Sequence, residues 1–214
     1  MFLLCVVTFL TLSHSAEAGI TYTVEAPGVQ QTSVVGATTQ NFNSFNASSA
    51  IGTYSGNYNI KPADLFGGAG GAGSYFTPTP GGPGAALVLA QPAIFFGLWW
   101  SAAGPNSDLL SFYDPSNTLL GTYDVSTFSA LPSTYNGNPN NGGLNSSEKY
   151  FYVNFFATAG STISRVTFGG PFESDNHSFI AAPAQGVPEN GSSIALFATS
   201  AGGLVAMRRR LRRA

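Results

Sequence analysis

Short segments rich in β-branched and aromatic residues, each bounded by Gly, Asn or Pro, recur along most of the chain. Such segments are typical of β-strands, because the turn residues between them supply the backbone conformations of tight connections. Strands are predicted at residues 20–25, 54–60, 85–90, 93–100, 109–113, 118–123, 151–156, 163–168 and 172–180. Helical periodicity is scarce, and one short helix is predicted at 125–131, where Pro132 would end it. The pattern predicts an all-β fold.

The number and spacing of these strands favour a two-sheet β-sandwich of jelly-roll type. The clearest hairpin joins the strands at 109–113 and 118–123 through residues 114–117 (DPSN), whose chemistry favours a tight turn. A glycine-rich stretch at 67–73 is predicted to be a flexible loop, because the Lys-Ser/Thr and the helix that follow a phosphate-binding loop are missing. A second surface loop is predicted at the Asn/Gly-rich residues 135–145.

Composition limits the partners and the source of stability. Charged residues make up 8% of the chain and aromatic residues 13%, whereas disordered chains combine few aromatics with high net charge. The central region, residues 19–186, has no basic cluster, which argues against nucleic acid as a partner. The single cysteine, Cys5, precedes this region, so one domain must be stabilised by its core without disulfides.

The N-terminal residues 1–18 have the pattern of a signal peptide. An apolar stretch at 2–12 is followed by Ala16-Glu17-Ala18, the small-x-small pattern after which signal peptidase cuts. Cleavage after Ala18 would leave Gly19 as the mature N-terminus.

The C-terminal residues 187–214 combine a short motif, an apolar run and a basic end. The motif is Val187-Pro188-Glu189, and the apolar run covers 194–207. The basic end holds five of the eight Lys and Arg residues of the chain: Arg208, Arg209, Arg210, Arg212 and Arg213. Arginines resist crossing the bilayer, so they would act as a membrane stop. A spanning helix needs roughly 20 apolar residues, so this single hydrophobic helix is of marginal length and suits transient retention.

This tripartite tail resembles the PEP-CTERM sorting signal, in the variant where a Val-Pro-acid-x-Gly-Ser/Thr motif replaces Pro-Glu-Pro. The chain departs from the commonest form at Asn190, where that form has a second proline. The resemblance implies that exosortase, a membrane cysteine transpeptidase, cleaves near the motif. It further implies delivery to the cell surface or extracellular matrix of a Gram-negative-type bacterium that makes exopolysaccharide.

The central region is similar to a group of exosortase-dependent surface proteins. The similarity lies in GLWWSA at 97–102, LSFYD at 110–114, LLGT at 119–122, YVNF at 152–155 and FESDNH at 172–177. It implies a β-sandwich ectodomain without established enzymatic activity, and it brings no catalytic residues. Together with the tail, it indicates a non-enzymatic protein associated with exopolysaccharide, other surface proteins or a biofilm.

Few residues of the central region have catalytic chemistry. His177 is its only histidine, which is too little for a zinc site and gives no triad by itself. Glu173 and Asp175 lie two apart on a predicted strand and would project from one face. With Asn176 they offer oxygen ligands of the kind that calcium prefers. Otherwise they form a polar strand end that bonds nearby backbone.

Trp99 and Trp100 belong to the densest aromatic patch, and neighbours on a strand face opposite ways. One of them, Trp100, is a candidate for stacking on a sugar ring, but burial of both is favoured because each would otherwise expose a large apolar surface. Two hypotheses therefore remain. The first is the non-enzymatic exported protein, with no cofactor and with signal peptidase, exosortase and, transiently, the inner membrane as its processing partners. The second is a carbohydrate-binding module, which calcium could assist, or a glycoside hydrolase that carries a sorting tail.

Overall fold

The computed structural model describes residues 19–79, 82, 84–104, 108–158 and 160–184. Most of these residues are in β-strands, and no helix among them reaches seven residues. The all-β prediction is thus confirmed. In the same part of the chain, no helix has the length and hydropathy needed to cross a bilayer.

The two predicted sorting segments lie outside the described residues. They include the predicted cleavage residues Ala16 and Ala18, the motif Val187, Pro188 and Glu189, and the predicted membrane stop at Arg208, Arg209, Arg210, Arg212 and Arg213. The described residues up to Ala182 belong to one compact unit.

Thirteen antiparallel strands form one curled sheet. They are β1 (Ile20–Val24), β2 (Thr38–Gln40), β3 (Ser48–Ser49), β4 (Gly52–Gly56), β5 (Tyr58–Pro62), β6 (Ser74–Pro78), β7 (Ala85–Ala103), β8 (Leu109–Tyr113), β9 (Leu119–Tyr123), β10 (Asn136–Asn138), β11 (Leu144–Ala157), β12 (Ile163–Gly169) and β13 (Glu173–Ala181). Four short 3-10 helices lie at Ala69–Gly71, Val125–Phe128, Ser133–Tyr135 and Pro139–Asn141.

The long strand β7 organises the sheet, because its two halves pair with different strands. Its first half pairs with β4 on one edge and β12 on the other, and its second half pairs with β11 and β13. We predicted two strands here, at 85–90 and 93–100, and that division is wrong. The chain stays extended through Pro92, which has no N–H to donate but whose carbonyl accepts a hydrogen bond from Ala182 N–H at 2.7 Å.

Other predicted boundaries also shift. The strand predicted at 54–60 is two strands that meet at Asn57, and the loop predicted at 135–145 contains β10 and the start of β11. The helix predicted at 125–131 is a single 3-10 turn, Val125–Phe128, with a capping box between Asp124 and Thr127. Phe128 in this turn is buried and packs against Tyr22, Trp100 and Phe151.

The main core lies on one face of the curled sheet and is rich in aromatic rings. Phe96, Leu98 and Trp100 of β7 point into it, together with residues of β4, β6, β8, β9, β11, β12 and β13. A smaller cluster on the other face of β7 joins Trp99 to Tyr150 and Tyr152. Large buried aromatic side chains supply much apolar area per residue, which suits a domain without disulfides.

Hydrogen bonds fix Gly19, the residue that precedes β1. Gly19 N–H donates to Thr158 Oγ1 at 3.0 Å, and Thr158 N–H donates to the Gly19 carbonyl at 2.9 Å. From Ile20 onward, β1 pairs in register with β11. The first residue of the predicted mature chain therefore directly precedes β1 and is hydrogen-bonded to Thr158, next to the end of β11.

Gly52 at the start of β4 is a position where only glycine fits. Its φ is +151°, and a Cβ there would lie 2.2 Å from the Val88 carbonyl oxygen and 2.9 Å from Leu89 Cα. Since overpacking costs ~1–3 kcal/mol and an unfavourable φ adds ~1–2 kcal/mol, we expect Gly52→Ala to lower the free energy of unfolding by ~2–5 kcal/mol. Urea unfolding measures this loss.

The matched control is Gly28→Ala, because Gly28 also has a positive φ, +80°, but no atom lies within 4 Å of its added Cβ. We expect it to lose only the backbone strain, ~1–2 kcal/mol. Equal losses in the two variants would show that the close approach between β4 and β7 does not matter.

Candidate functional site

The two neighbouring tryptophans lie on opposite faces of β7, and both are buried. Trp100 is 0% exposed and packs against Phe172, with 4.4 Å between the ring centroids. Trp99 is 1% exposed beside Tyr150 and Tyr152. Burial of both is the outcome that the sequence favoured, and the alternative, one tryptophan exposed for a sugar, is wrong because β7 is covered on both faces. Trp100 therefore offers no ring face to a sugar.

The face of the sheet that carries Trp99 also carries acidic residues. Asp175 on β13 pairs in register with Trp99, which in turn pairs with Tyr152 of β11. Glu173 lies two residues earlier on β13, so it shares this face, as the i, i+2 spacing predicts. We call this surface the polar face. Asn176 departs from the strand conformation, with φ +50°, at the point where the β13 register shifts.

Asp175 and Asn176 bind the backbone of their own chain. Asp175 accepts hydrogen bonds from Ala69 N–H at 2.8 Å and from Asn176 N–H at 2.7 Å, one on each carboxyl oxygen. The Asn176 side-chain amide donates to the Gln30 carbonyl at 2.8 Å. The glycine-rich segment that contains Ala69 thus closes over a carboxylate. The contacts agree with a polar strand end and use the atoms that a calcium ion would need.

Three other carboxylates line a cavity of about 290 Å³ at one edge of the polar face. Asp108 directly precedes β8, Glu148 lies on β11 and Glu173 begins β13. Phe66, Ala102 and Pro171 add an apolar part to the lining. We call this space, with Asp108, Glu148 and Glu173 around it, the acidic cavity.

Two of these carboxylates have a buried oxygen atom without a hydrogen-bond partner. Asp108 is 3% exposed, and its Oδ1 atom has no donor. Glu173 accepts a hydrogen bond from the Tyr75 hydroxyl on Oε1 at 3.2 Å, but its Oε2 atom has no donor. The same Tyr75 hydroxyl lies 3.0 Å from Asp64 Oδ2, so one proton serves two carboxylates. Buried polar atoms without partners are rare, and a site for a ligand is one explanation.

The burial of these groups changes their acidity. Burial raises the pKa of Asp108 to about 7, and the negative charge of Glu148 raises it further. The nearby Trp100 indole acts to lower this pKa, although the two groups do not reach hydrogen-bond geometry. Burial likewise raises the pKa of Glu173 to about 7, against the Tyr75 hydrogen bond and with the charge of Asp64. Burial also raises the pKa of Asp175 to about 7. The three groups therefore exchange protons near neutral pH.

A serine and a histidine also meet, but in the main core. His177 Nε2 lies 2.8 Å from Ser174 Oγ, and His177 Nδ1 lies 2.9 Å from the Tyr54 hydroxyl. Both Ser174 and His177 are 0% exposed, and the imidazole stacks on Phe168 with 5.1 Å between centroids. Burial lowers the pKa of His177 to about 3, so the ring is neutral. No substrate reaches this pair, which acts as a buried polar network.

Comparison of the chain with protein-family models, curated proteins and solved structures gives no match. Within the described ranges, no three His, Cys, Asp or Glu side chains are arranged to hold one metal ion.

The sequence reasoning found Glu173 but missed Asp108, Glu148 and Tyr75. Asp108 and Glu173 stand directly before or at the first residue of a strand, and an acid next to a buried strand was the available signal. Their meeting depends on the pairing of β8 with β12 and of β13 with β7, which no local pattern encodes.

Because Asp108 is buried with an unpartnered oxygen, we expect the stability of the unchanged protein and of the Asp108→Asn variant to differ in a way that depends on pH. Its pKa is raised above the ordinary 3.8, so the folded state holds more protons than the unfolded state between about pH 4 and 7, and stability from this group falls as pH rises. Asp108→Asn does not lose stability in this way. At pH 8 its free energy of unfolding is expected to be ~1–3 kcal/mol higher than that of the unchanged protein. The advantage should disappear at pH 4.

Urea unfolding of both proteins from pH 4 to 8 measures this difference. Comparing the two proteins at each pH cancels the effect of His177, whose lowered pKa acts in the opposite direction below pH 6.5. An advantage of Asp108→Asn that does not vary with pH would contradict the prediction.

The burial of Ser174 predicts that it is chemically inert. The folded protein should not react with a fluorophosphonate probe for nucleophilic serines. Ser174→Ala should lower the free energy of unfolding by ~1–3 kcal/mol, because His177 Nε2 loses its partner. Labelling of the folded protein that Ser174→Ala abolishes would instead reveal a reactive serine.

Proposed function

We propose that this chain is an exported, non-enzymatic protein of the cell surface or extracellular matrix, sorted by exosortase and associated with exopolysaccharide. One observation supports the export route above others. Strand β1 begins at Ile20, next to the predicted cleavage after Ala18, and β13 ends at Ala181, before the predicted motif at Val187. Both predicted processing points thus flank the strands and interrupt none of them.

The proposal includes a finer architecture than the curled sheet. The sheet would be a two-sheet sandwich of jelly-roll type, followed by a single hydrophobic helix and the arginine stop. The support is that one main core takes side chains from β4 and β6 as well as from β8, β9 and β11. Strands far apart in the sheet order thus cover the same interior.

The state of the polar groups favours binding over catalysis. The Ser174–His177 pair is buried. Glycoside hydrolysis needs one protonated and one ionised carboxyl group, with environments that move the two pKa values apart. In the acidic cavity, burial moves the pKa values of Asp108 and Glu173 in the same direction, both to about 7.

The second candidate is the carbohydrate-binding or hydrolytic module, and the acidic cavity is the observation that favours it. A hydrolase would lose activity on a polysaccharide with Glu173→Gln, because burial raises the pKa of Glu173 to about 7, where a carboxyl group can act as a general acid. A binding module would show no turnover with or without this substitution. A screen for released reducing sugar distinguishes the two.

Replacing Pro188-Glu189 with Ala-Ala tests the sorting proposal. Exosortase would no longer recognise the motif, so uncleaved precursor should accumulate in the membrane fraction. The unchanged protein should be recovered outside the cell with Gly19 at its N-terminus and without the arginine cluster. Immunoblotting of the fractions and intact-mass spectrometry measure these results.

The control is Thr199-Ser200→Ala-Ala, which keeps the motif and the apolar character of the tail, and which should mature normally. Recovery of an exported product that still ends in Arg213-Ala214 would overturn the sorting proposal.

A further inference from the structure

We propose that Asn141 is a site of spontaneous deamidation, at which the Gly142 backbone nitrogen attacks the side chain, and that the product releases one contact of the segment 64–68. The inference does not depend on the proposed function. It follows from the position of one Asn-Gly pair in an open turn, from the different position of a second pair, and from the contacts of the Asn141 amide.

The reaction needs an asparagine whose side chain the next backbone nitrogen can approach. This nitrogen attacks Cγ of the asparagine, and the new C–N bond closes a succinimide ring. The bond from Cγ to the side-chain nitrogen breaks, and that nitrogen leaves as ammonia with the proton of the attacking N–H. Water then opens the ring at either carbonyl and leaves aspartate or isoaspartate. Glycine hinders the attack least, because it has no Cβ.

The chain contains three Asn-Gly pairs, at 136–137, 141–142 and 190–191. The third pair lies outside the described residues. The first pair belongs to β10, whereas the second stands at the end of the 3-10 helix Pro139–Asn141. The same chemistry therefore meets two different surroundings in one domain.

The pair at 141–142 lies in an open turn. Asn141 ends the 3-10 helix, and Gly142 follows it in the left-handed conformation, with φ +63°. No atom of the described residues lies within 4 Å of a Cβ added at Gly142 or at Gly143, and both glycines are exposed. A segment with so few packing contacts opens locally at little cost in free energy. The Gly142 nitrogen can therefore turn toward the Asn141 side chain.

The pair at 136–137 is held by the sheet. Asn136 has extended backbone, with φ −82° and ψ 140°, and pairs in register with Lys149 of β11. Gly137 is buried, and a Cβ there would lie 2.4 Å from the Gly143 carbonyl oxygen. The attack requires a backbone rotation between the asparagine and the glycine, which this pairing and this packing oppose. Asn136 therefore keeps its amide while the fold is intact.

The Asn141 amide helps to hold the segment 64–68, which belongs to the connection between β5 and β6. Three asparagines donate side-chain N–H groups to carbonyl oxygens of this segment: Asn138 to Leu65 at 2.9 Å, Asn140 to Gly68 at 3.1 Å and Asn141 to Asp64 at 2.9 Å. A carboxylate has acceptors only. At position 141 it would face the Asp64 carbonyl without a donor between them, so deamidation removes one of these contacts.

Peptide mapping of the full-length purified chain after incubation at pH 7.5 tests the proposal. A brief chymotryptic digest cuts after Tyr135 and Leu144, so both asparagines lie in one peptide, whose fragmentation assigns the site. We expect Asn141 to deamidate at least about tenfold faster than Asn136, a difference in barrier of ~1.4 kcal/mol or more. In the urea-unfolded chain the two rates should converge, because both asparagines precede glycine.

The matched variants are Gly142→Ala and Gly143→Ala. Both glycines have a positive φ, +63° and +79°, and open space around an added Cβ, so the two substitutions strain the backbone alike. Only Gly142 supplies the attacking nitrogen. Gly142→Ala should slow the deamidation of Asn141 about tenfold, ~1.4 kcal/mol in barrier, and Gly143→Ala should leave the rate unchanged.

The Asn141→Asp variant supplies the aspartate product as a homogeneous sample. We expect chymotrypsin to cut this folded variant after Phe66 about fivefold faster than the unchanged protein, because one hydrogen bond of the segment is gone. The control is Asn59→Asp, which removes an exposed amide that donates to Thr79 Oγ1 at 3.2 Å, outside the segment. It should be cut after Phe66 at the unchanged rate.

Equal rates at Asn136 and Asn141 in the folded chain would overturn the proposed deamidation site, as would an unchanged rate in Gly142→Ala. An Asn141→Asp variant that is cut no faster than the unchanged protein would overturn the proposed release of the segment. Tail cleavage is measured separately, so none of these results bears on the sorting proposal.

Discussion

Hydrogen bonding along both edges of β7 is the constraint on which the rest of the domain depends. This strand joins β4 and β12 to β11 and β13, and both of its faces are covered in its second half. Covering both faces requires a nearly continuous apolar strand, and residues 93–100 provide one. It also forces the acids of β13 to lie beside Trp99, so the polar face exists because β13 pairs with the strand that carries the tryptophans.

Strands with strong apolar character were predictable from the sequence, and those without it were not. The apolar runs around Phe96 and Val153 predict β7 and β11, because side chains buried in a sheet must be hydrophobic. The strands Thr38–Gln40 and Asn136–Asn138 consist of polar residues and Gly, so no pattern marks them. They are strands because β13 and β11 offer them a hydrogen-bonding edge.

The site shows the same division. The shared face of Glu173 and Asp175 follows from local spacing, since it needs only the alternation of a strand. Their different surroundings do not follow from local spacing. Asp175 accepts a hydrogen bond from Ala69 of a distant loop, whereas Glu173 lines a cavity with Asp108 and Glu148. Which tryptophan is exposed also depended on tertiary structure, and the answer is that neither is.

The order of the strands along the chain has a consequence for the proposed export. Strand β1 pairs with β11, and β7 needs β11, β12 and β13, all of which come late in the sequence. Contacts between distant segments form slowly, and three of the twelve pairings among the described strands, those of β13 with β2, β6 and β7, cannot form before the last strand is available. If the chain is exported as proposed, this topology delays closure of the sheet around β7 until β13 has emerged.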